Sequence, residues 1–214
     1  MSITTFAELK TAVANWLNRT DLTDRLQEFI ALAETTMNYG DLDMGVRPLR
    51  TSDMMTAYGV NTVANTATVA LPADFLEFLR LRITVSGGKR DLRIDSGRPL
   101  DADEYDQTAG VPSRATIVGS NLELGPKPDA VYAIDGTYYA KIPALSDSQT
   151  TNWLLTKSPN AYLYGALMHA LPYLGADARA ASLSVMFRSA VNQLTYADSR
   201  KRFANSQMAS ATYS

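Results

Sequence analysis

The fold is decided by residues 78–85, FLRLRITV, near the middle of the chain. Apolar residues alternate there with arginine and threonine, and a period of two is typical of a strand with one buried face. Gly87 and Gly88 follow almost at once, and two glycines suit a tight turn because they tolerate positive φ. The centre of the sequence therefore predicts an antiparallel hairpin.

Further strands are predicted on the C-terminal side of this hairpin. Residues 116–118 and 122–124 are rich in apolar residues and flank the turn sequence Gly-Ser-Asn at 119–121. Residues 131–142 are rich in tyrosine, isoleucine and threonine, which favour strands. We expect an antiparallel meander, in which the acidic residues 101–106 form a short helix or an exposed loop.

Residues 1–40 predict a helical hairpin. Thr5 and Glu8 have the spacing of a capping box at the start of the first helix. Tyr39 and Gly40 end the second helix, because glycine suits the left-handed conformation that often follows a helix. The apolar residues at helical spacing, which predict one buried face on each helix, are Phe6, Leu9, Val13, Trp16 and Leu17, then Leu22, Leu26, Phe29, Ile30, Ala33 and Met37.

The last third of the chain returns to helical patterns. Ser158 and Pro159 predict a helix start, with serine as the cap and proline in the first turn. Pro172 and Gly175 predict its end, and a final helix is expected from about Asp177 to Phe203. Its predicted buried stripe is Ala180, Leu183, Phe187, Ala190, Val191, Leu194 and Ala197.

These patterns predict an α+β fold with an inserted lobe. We expect a helical bundle formed by residues 1–70 and 150–203, in which the N-terminal hairpin packs with the C-terminal helices. Residues 71–149 are expected to form the antiparallel β-rich lobe. The small, polar residues 204–214 predict a flexible C-terminal tail.

Composition excludes several classes of protein. The chain has 214 residues, no cysteine and one histidine, so a disulfide scaffold and cysteine-ligated metal sites are excluded. Its formal net charge of −2 argues against a protein that coats nucleic acid. No apolar run approaches the length of a membrane span, and MSITTFAELK lacks the order of a signal peptide. We therefore expect a soluble protein made in a reducing compartment.

No group of residues has the pattern of a catalytic, cofactor-binding or metal site. His169 has no second ligand nearby in sequence, so a structural role is expected. The acidic residues 101–106 lack the spacing of a calcium loop. Glu8, Glu28 and Glu34 fall on predicted helices, whose polar faces account for them. The sequence predicts no cofactor and no enzymatic activity.

One concentrated positive spot stands near the end of the last predicted helix. Arg200, Lys201 and Arg202 complement the helix dipole there, which would explain them without any partner. A functional interpretation is docking onto an acidic partner. We therefore name Arg200, Lys201, Arg202 and Phe203 as the candidate partner-binding residues.

Several phrases, taken in order, resemble the head–tail adaptor (connector or head completion) proteins of tailed bacteriophages. The N-terminal phrases are ITTFAELK at 3–10, WLNR at 16–19, FIALAE at 29–34 and LPADFL at 71–76. The later ones are GVP at 110–112, LELGP at 122–126 with PD at 128–129, YYAKIPALSD at 138–147, NWLL at 152–155 and AYLYGAL at 161–167. The similarity covers most of residues 1–200.

The resemblance implies a structural virion protein of the neck, assembled in the host cytoplasm. Such an adaptor would bind the portal protein and form a homo-oligomeric, twelve-subunit ring beneath it. The ring would extend the channel, let double-stranded DNA pass without specific binding, and give tail or nozzle proteins a platform. Two alternatives stay open: another neck, tail-tube or completion component of the virion, or a virion-associated hydrolase that uses two carboxylates.

Overall fold

The computed structural model describes residues 2–95 and 108–210, without the side chains of residues 177–178 and 203–210. Its helices are α1 (Phe6–Leu17), α2 (Thr23–Tyr39), α3 (Trp153–Lys157), α4 (Pro159–Tyr173) and α5 (Asp177–Ser210). The strands are β1 (Met55–Asn61), β2 (Thr68–Ala70), β3 (Phe75–Val85), β4 (Gly88–Asp91), β5 (Arg93–Ile94), β6 (Arg114–Val118), β7 (Asn121–Gly125) and β8 (Ala133–Ala140). The α+β fold class is confirmed, whereas the expectation for residues 101–106 lies outside the described residues.

The chain divides into two compact units. The helical unit comprises Met1–Asp53 and Ile142–Ser214, and the β unit comprises Met54–Lys141. Strands β1 and β2 lie before residue 71, where the sequence analysis began the β lobe. Their threonine, asparagine and alanine residues lack a clear alternation, so pairing with β8 and β7 rather than local pattern gives them their strand conformation.

The described residues of the β unit form two four-stranded sheets, in the orders β1-β8-β3-β4 and β2-β7-β6-β5. The expected meander is therefore wrong: β8 lies between β1 and β3, and β5 pairs with β6 in parallel. Alternation predicts which face of a strand is buried but not which strand becomes its neighbour. The two predicted hairpins, β3-β4 and β6-β7, are present.

The core of the β unit consists of apolar side chains from both sheets. Leu81 and Ile83 of β3 belong to it, as the alternation predicts. Leu79, however, is 45% exposed, because an irregularity between Phe78 and Arg80 breaks the alternation at that point. Gly136 of β8 faces this irregularity, and a Cβ there would lie 2.3 Å from the carbonyl oxygen of Arg80.

The helical unit packs around α4. Helix α4 contacts α1, α2, α3 and α5, and its apolar side chains are buried around most of its circumference rather than on one stripe. Gly165 allows the closest approach, since a Cβ there would lie 2.8 Å from Ala33 Cβ and 2.9 Å from Phe187 Cε2. In the described residues no helix combines the length and apolarity that a bilayer crossing requires.

Helix caps agree with the sequence in part. In the capping box the Glu8 N–H donates to Thr5 Oγ1 at 3.3 Å, and the Thr5 N–H donates to Glu8 Oε2 at 3.0 Å. Helix α4 begins at Pro159 as predicted, but the Ser158 hydroxyl donates to Asn160 Oδ1 and does not cap the helix.

The last helix is longer than predicted and less buried. It has 34 residues, about 50 Å of helix, and continues past Phe203 to Ser210, because neither proline nor glycine interrupts it. Leu183, Phe187, Ala190 and Val191 are buried, whereas Leu194 is half-buried and Ala197 exposed. The flexibility of residues 204–214 stays a prediction.

Candidate partner-binding surface on the last helix

Asp198 fixes the C-terminal part of α5 to the helical unit. Its side chain is 7% exposed and accepts hydrogen bonds from the Ser52 N–H at 3.0 Å and the Ser52 hydroxyl at 2.5 Å. Burial alone would raise the pKa of Asp198, but the Ser52 bonds and the charges of Arg202 and Lys201 hold it below its ordinary value. The carboxylate is therefore charged at neutral pH and anchors the helix there.

The predicted partner-binding residues surround the helix just after this anchor. The Arg202 Nη2 atom lies 2.7 Å from Asp198 Oδ2, so Arg202 forms an ion pair within the helical unit. The Arg200 guanidinium lies 6.0 Å from the centre of the Tyr196 ring, and Lys201 is exposed. The side chain of Phe203 lies outside the described residues.

Arg200 and Arg202 do not share one face. Each helical residue turns by about 100°, so Arg200 and Arg202 lie on nearly opposite sides of α5. Arg202 lies on the side of Asp198 and, although its side chain is 47% exposed, it is paired with that carboxylate. Arg200 and Lys201 are exposed without that ion pair and are the better candidates for contact with a partner. Whether they contact a partner stays a prediction.

Glu34 is a second buried carboxylate of the helical unit, and here the sequence expectation is wrong. It is 6% exposed rather than on a polar face. Its Oε1 accepts hydrogen bonds from the Leu145 N–H at 2.9 Å and the Tyr162 hydroxyl at 3.0 Å. The signal was present in the sequence, because Glu34 lies four residues after Ile30 and next to Ala33 on the apolar stripe.

The network around Glu34 holds an irregular segment in place. Asn152 donates to Tyr162 Oη and to the Pro143 carbonyl, each at 2.7 Å, and Asn38 Oδ1 accepts from the Ile142 N–H at 3.0 Å. Residues 142–152 lie outside helices and strands, so their backbone groups need such partners. The network thus connects the returning chain to α2.

This network does not have the arrangement of a carboxylate pair for acid–base chemistry. Burial raises the pKa of Glu34 above its ordinary value, and the two hydrogen bonds offset only part of that effect. Its hydrogen-bonding partners are a backbone amide and a tyrosine, whereas a glycosidase needs a second carboxyl across a cleft. The geometry suits a structural role.

The described residues can be compared with the requirements of a metal site, and His169 with those of a catalytic histidine. There no group of three or more histidine, aspartate or glutamate side chains could hold a metal ion. His169 is half-buried, with its Nε2 3.2 Å from Thr36 Oγ1. Burial lowers the pKa of His169, although Asp41 offsets part of the shift.

A family model described as SU10 adaptor protein matches residues 4–211, which is almost the entire chain. The chain belongs to this adaptor family. The predicted relationship to phage head–tail adaptors is thereby confirmed, and the protein is a structural adaptor of the bacteriophage virion, at the junction of head and tail. No curated protein matches the chain.

The matched region includes residues of both units and all of α5. The exposed cations Arg200 and Lys201 therefore belong to the matched region rather than to an appended tail. No residue pattern in the sequence distinguishes Arg202, which is bound to Asp198, from Arg200, which is not. Only the position of Asp198 in the fold separates them.

Proposed function

We propose that this adaptor forms a ring with copies of itself beneath the portal, extends the DNA channel, and presents a platform for tail assembly. The observation that carries the proposal is the family match over residues 4–211. A ring subunit needs different surfaces for its neighbours and for the structures above and below it. Two units of different chemistry in one chain are consistent with that need.

Charge is consistent with the channel role. The net charge of −2 gives the protein little general attraction for phosphates, so DNA can slide past it instead of binding. The basic residues are mostly interleaved with acids, as in the pairs Arg80–Asp91 and Arg19–Asp21. We infer that double-stranded DNA passes through the lumen without specific contacts.

The end of α5 is our candidate for portal contact. Arg200 and Lys201 are exposed on a helix that continues to Ser210. Exposed cations on a fixed helix suit an acidic partner surface, and such contacts weaken as salt increases. Any further ordering of residues 204–214 on docking would cost conformational entropy, which would offset part of the binding free energy.

The proposal is tested by native mass spectrometry of the protein alone and mixed with a portal ring. We expect a complex with one copy per portal subunit, that is, twelve copies on a twelve-fold portal. If the protein does not bind the portal but binds a tail protein, it is another neck or tail component. A protein that binds neither and cleaves cell-wall polymer would be a hydrolase.

The docking residues are tested by a charge-matched comparison. We expect R200Q/K201Q to weaken portal binding by roughly tenfold at low salt. The control R25Q/R90Q removes two exposed arginines elsewhere and should bind like the wild type. Equal binding by both variants would contradict the assignment of Arg200 and Lys201.

A further inference from the structure

Leu42 is an apolar side chain that is exposed to solvent on a hydrogen-bonded loop. It is 98% exposed, and it lies between Asp41 and Asp43 just after α2. Reciprocal backbone hydrogen bonds of 2.8 Å close the loop between Asp41 and Val46, and Asp41 Oδ1 accepts from the Met44 N–H at 2.9 Å. A leucine fixed in this way has apolar surface to bury and little conformational entropy to lose.

A groove of about 320 Å³ lies elsewhere on the same helical unit, between α1, α4 and α5. Its deep side chains are buried leucines, and its outer ones are Trp16, 49% exposed, and Met186, 40% exposed. Trp16 was expected in the buried stripe of α1, but its ring instead meets Tyr164 edge-on at 6.1 Å. The groove lining includes Trp16, Leu167, Leu171, Arg179, Leu183 and Met186.

The loop and the groove lie on opposite sides of α5. Arg188 faces the loop, since its Nη1 lies 3.5 Å from the Met44 carbonyl oxygen. At 100° per residue, Arg188 is about 140° from Leu183 and still farther from Met186, both of which line the groove. Leu42 therefore cannot fill the groove of its own chain.

Charge completes the match between the two surfaces. Asp43, beside Leu42, and Arg179, at the groove, are both exposed. Within the part of the chain that the structure describes, neither forms an ion pair. The exposed Leu42 and the carboxylate of Asp43 are therefore complementary, in polarity and in charge, to the apolar groove and the guanidinium of Arg179.

We propose that Leu42 of one copy inserts into the Trp16–Met186 groove of a second copy, with Asp43 facing Arg179 of that copy. Such a contact joins two different surfaces, so it can repeat from copy to copy and close into a ring. The inference deepens the proposed function, on which its ring geometry rests, by naming the contact between neighbours.

The contact is tested by cross-linking in a chain that has no native cysteine. A Leu42→Cys chain and a differently tagged Met186→Cys chain are mixed and treated with a short bis-maleimide, with and without the portal ring. The matched control replaces Leu42→Cys by Leu32→Cys, which is 47% exposed on α2. We expect the yield of the cross-linked mixed dimer to exceed that of the control by about tenfold or more, either with or without the portal ring.

A second measurement separates assembly from folding. Leu42→Asp should lower self-association by about tenfold or more, because it removes a buried leucine from the interface. It should leave the unfolding midpoint unchanged, since Leu42 is almost fully exposed in the single chain. D43R and R179D should each weaken association, and mixing them should restore it.

The outcomes of the two proposals can be told apart. A portal complex without excess cross-link overturns this interface and leaves the proposed function standing. A cross-link without a portal complex supports the interface and overturns the proposed function. Cross-linking no greater than in the control, in both samples, overturns the interface whether or not the portal binds.

Discussion

The helical unit and the β unit each contain a central carboxylate, but in different surroundings. Glu34 lies inside the helical unit and accepts bonds from a tyrosine hydroxyl and a backbone amide. Asp135 lies on a sheet of the β unit, 28% exposed, with Arg82 at 2.6 Å and Lys89 at 3.0 Å. Burial raises the pKa of Glu34 despite its two neutral donors. The pKa of Asp135 is lowered, chiefly by the interaction with Lys89 and then by that with Arg82.

Opposite shifts mean opposite effects of pH on stability. The raised pKa of Glu34 favours folding at acidic pH, and this contribution is lost as pH rises through the folded-state pKa. The lowered pKa of Asp135 favours folding above the ordinary aspartate pKa, and this contribution is lost as pH falls through the folded-state pKa. The same functional group therefore serves as a buried acceptor in one unit and as a surface ion-pair partner in the other.

The largest effect is expected for Glu34→Ala, which leaves the Leu145 N–H and the Tyr162 hydroxyl without their acceptor in a buried site. We expect a loss of about 3 kcal/mol in the free energy of unfolding, measured in urea. Glu34→Gln keeps an acceptor oxygen and should lose less than half as much. Equal, small losses in both variants would contradict the central role of this acceptor.

Gly165→Ala comes next and compares the packing of the two units. Its Cβ would lie 2.8 Å from Ala33 Cβ, so α2, α4 and α5 must separate, at a cost of about 2 kcal/mol. The matched control is Gly59→Ala in β1, where a Cβ meets nothing within 4 Å. The unfolding midpoints of both variants are measured by thermal unfolding. An unchanged midpoint for Gly165→Ala would show that the helices can move apart at little cost in free energy.

Asp135→Asn is expected to have a smaller effect. The ion pairs of Asp135 with Arg82 and Lys89 are partly exposed and screened by solvent. We therefore expect a loss of about 1 kcal/mol or less in the free energy of unfolding at pH 7. The loss should disappear as pH falls below the pKa of Asp135, because both proteins then lack the charge. Urea unfolding at pH 7 and at the lowest pH that keeps the protein folded provides the test.

The smallest effect is expected in the pH dependence of Glu34→Gln, and its direction is opposite to that of Asp135→Asn. Relative to the wild type, this variant should gain stability as pH rises through the raised pKa of Glu34, because it has no charge to bury. The measurement is the difference in unfolding free energy across a pH series. A difference that does not change with pH would mean that Glu34 ionises as freely as an exposed carboxyl.

Much of this adaptor could be predicted where the decisive interactions are local. The Thr5–Glu8 capping box spans one helical turn, and the hairpins β3-β4 and β6-β7 need only their turn residues. Strand order in the β unit was not predictable in this way, because β8 pairs with β1 and β3, which lie far away in sequence. At the candidate partner-binding surface, the sequence identified the cluster of cations but not the use of Arg202 by Asp198.

The sequence by itself determined the starts of α1, α4 and α5, the hairpin turns, the α+β class and, through ordered phrases along most of its length, the adaptor family. Periodicity and capping act over a few residues, so they are visible without any fold. Tertiary structure alone decided that Glu34 is buried, that Trp16 borders an open groove, and that Leu42 is left in water. Each of these depends on which distant segment covers a side chain, and burial sets both the pKa of a carboxylate and the surface available to a second copy.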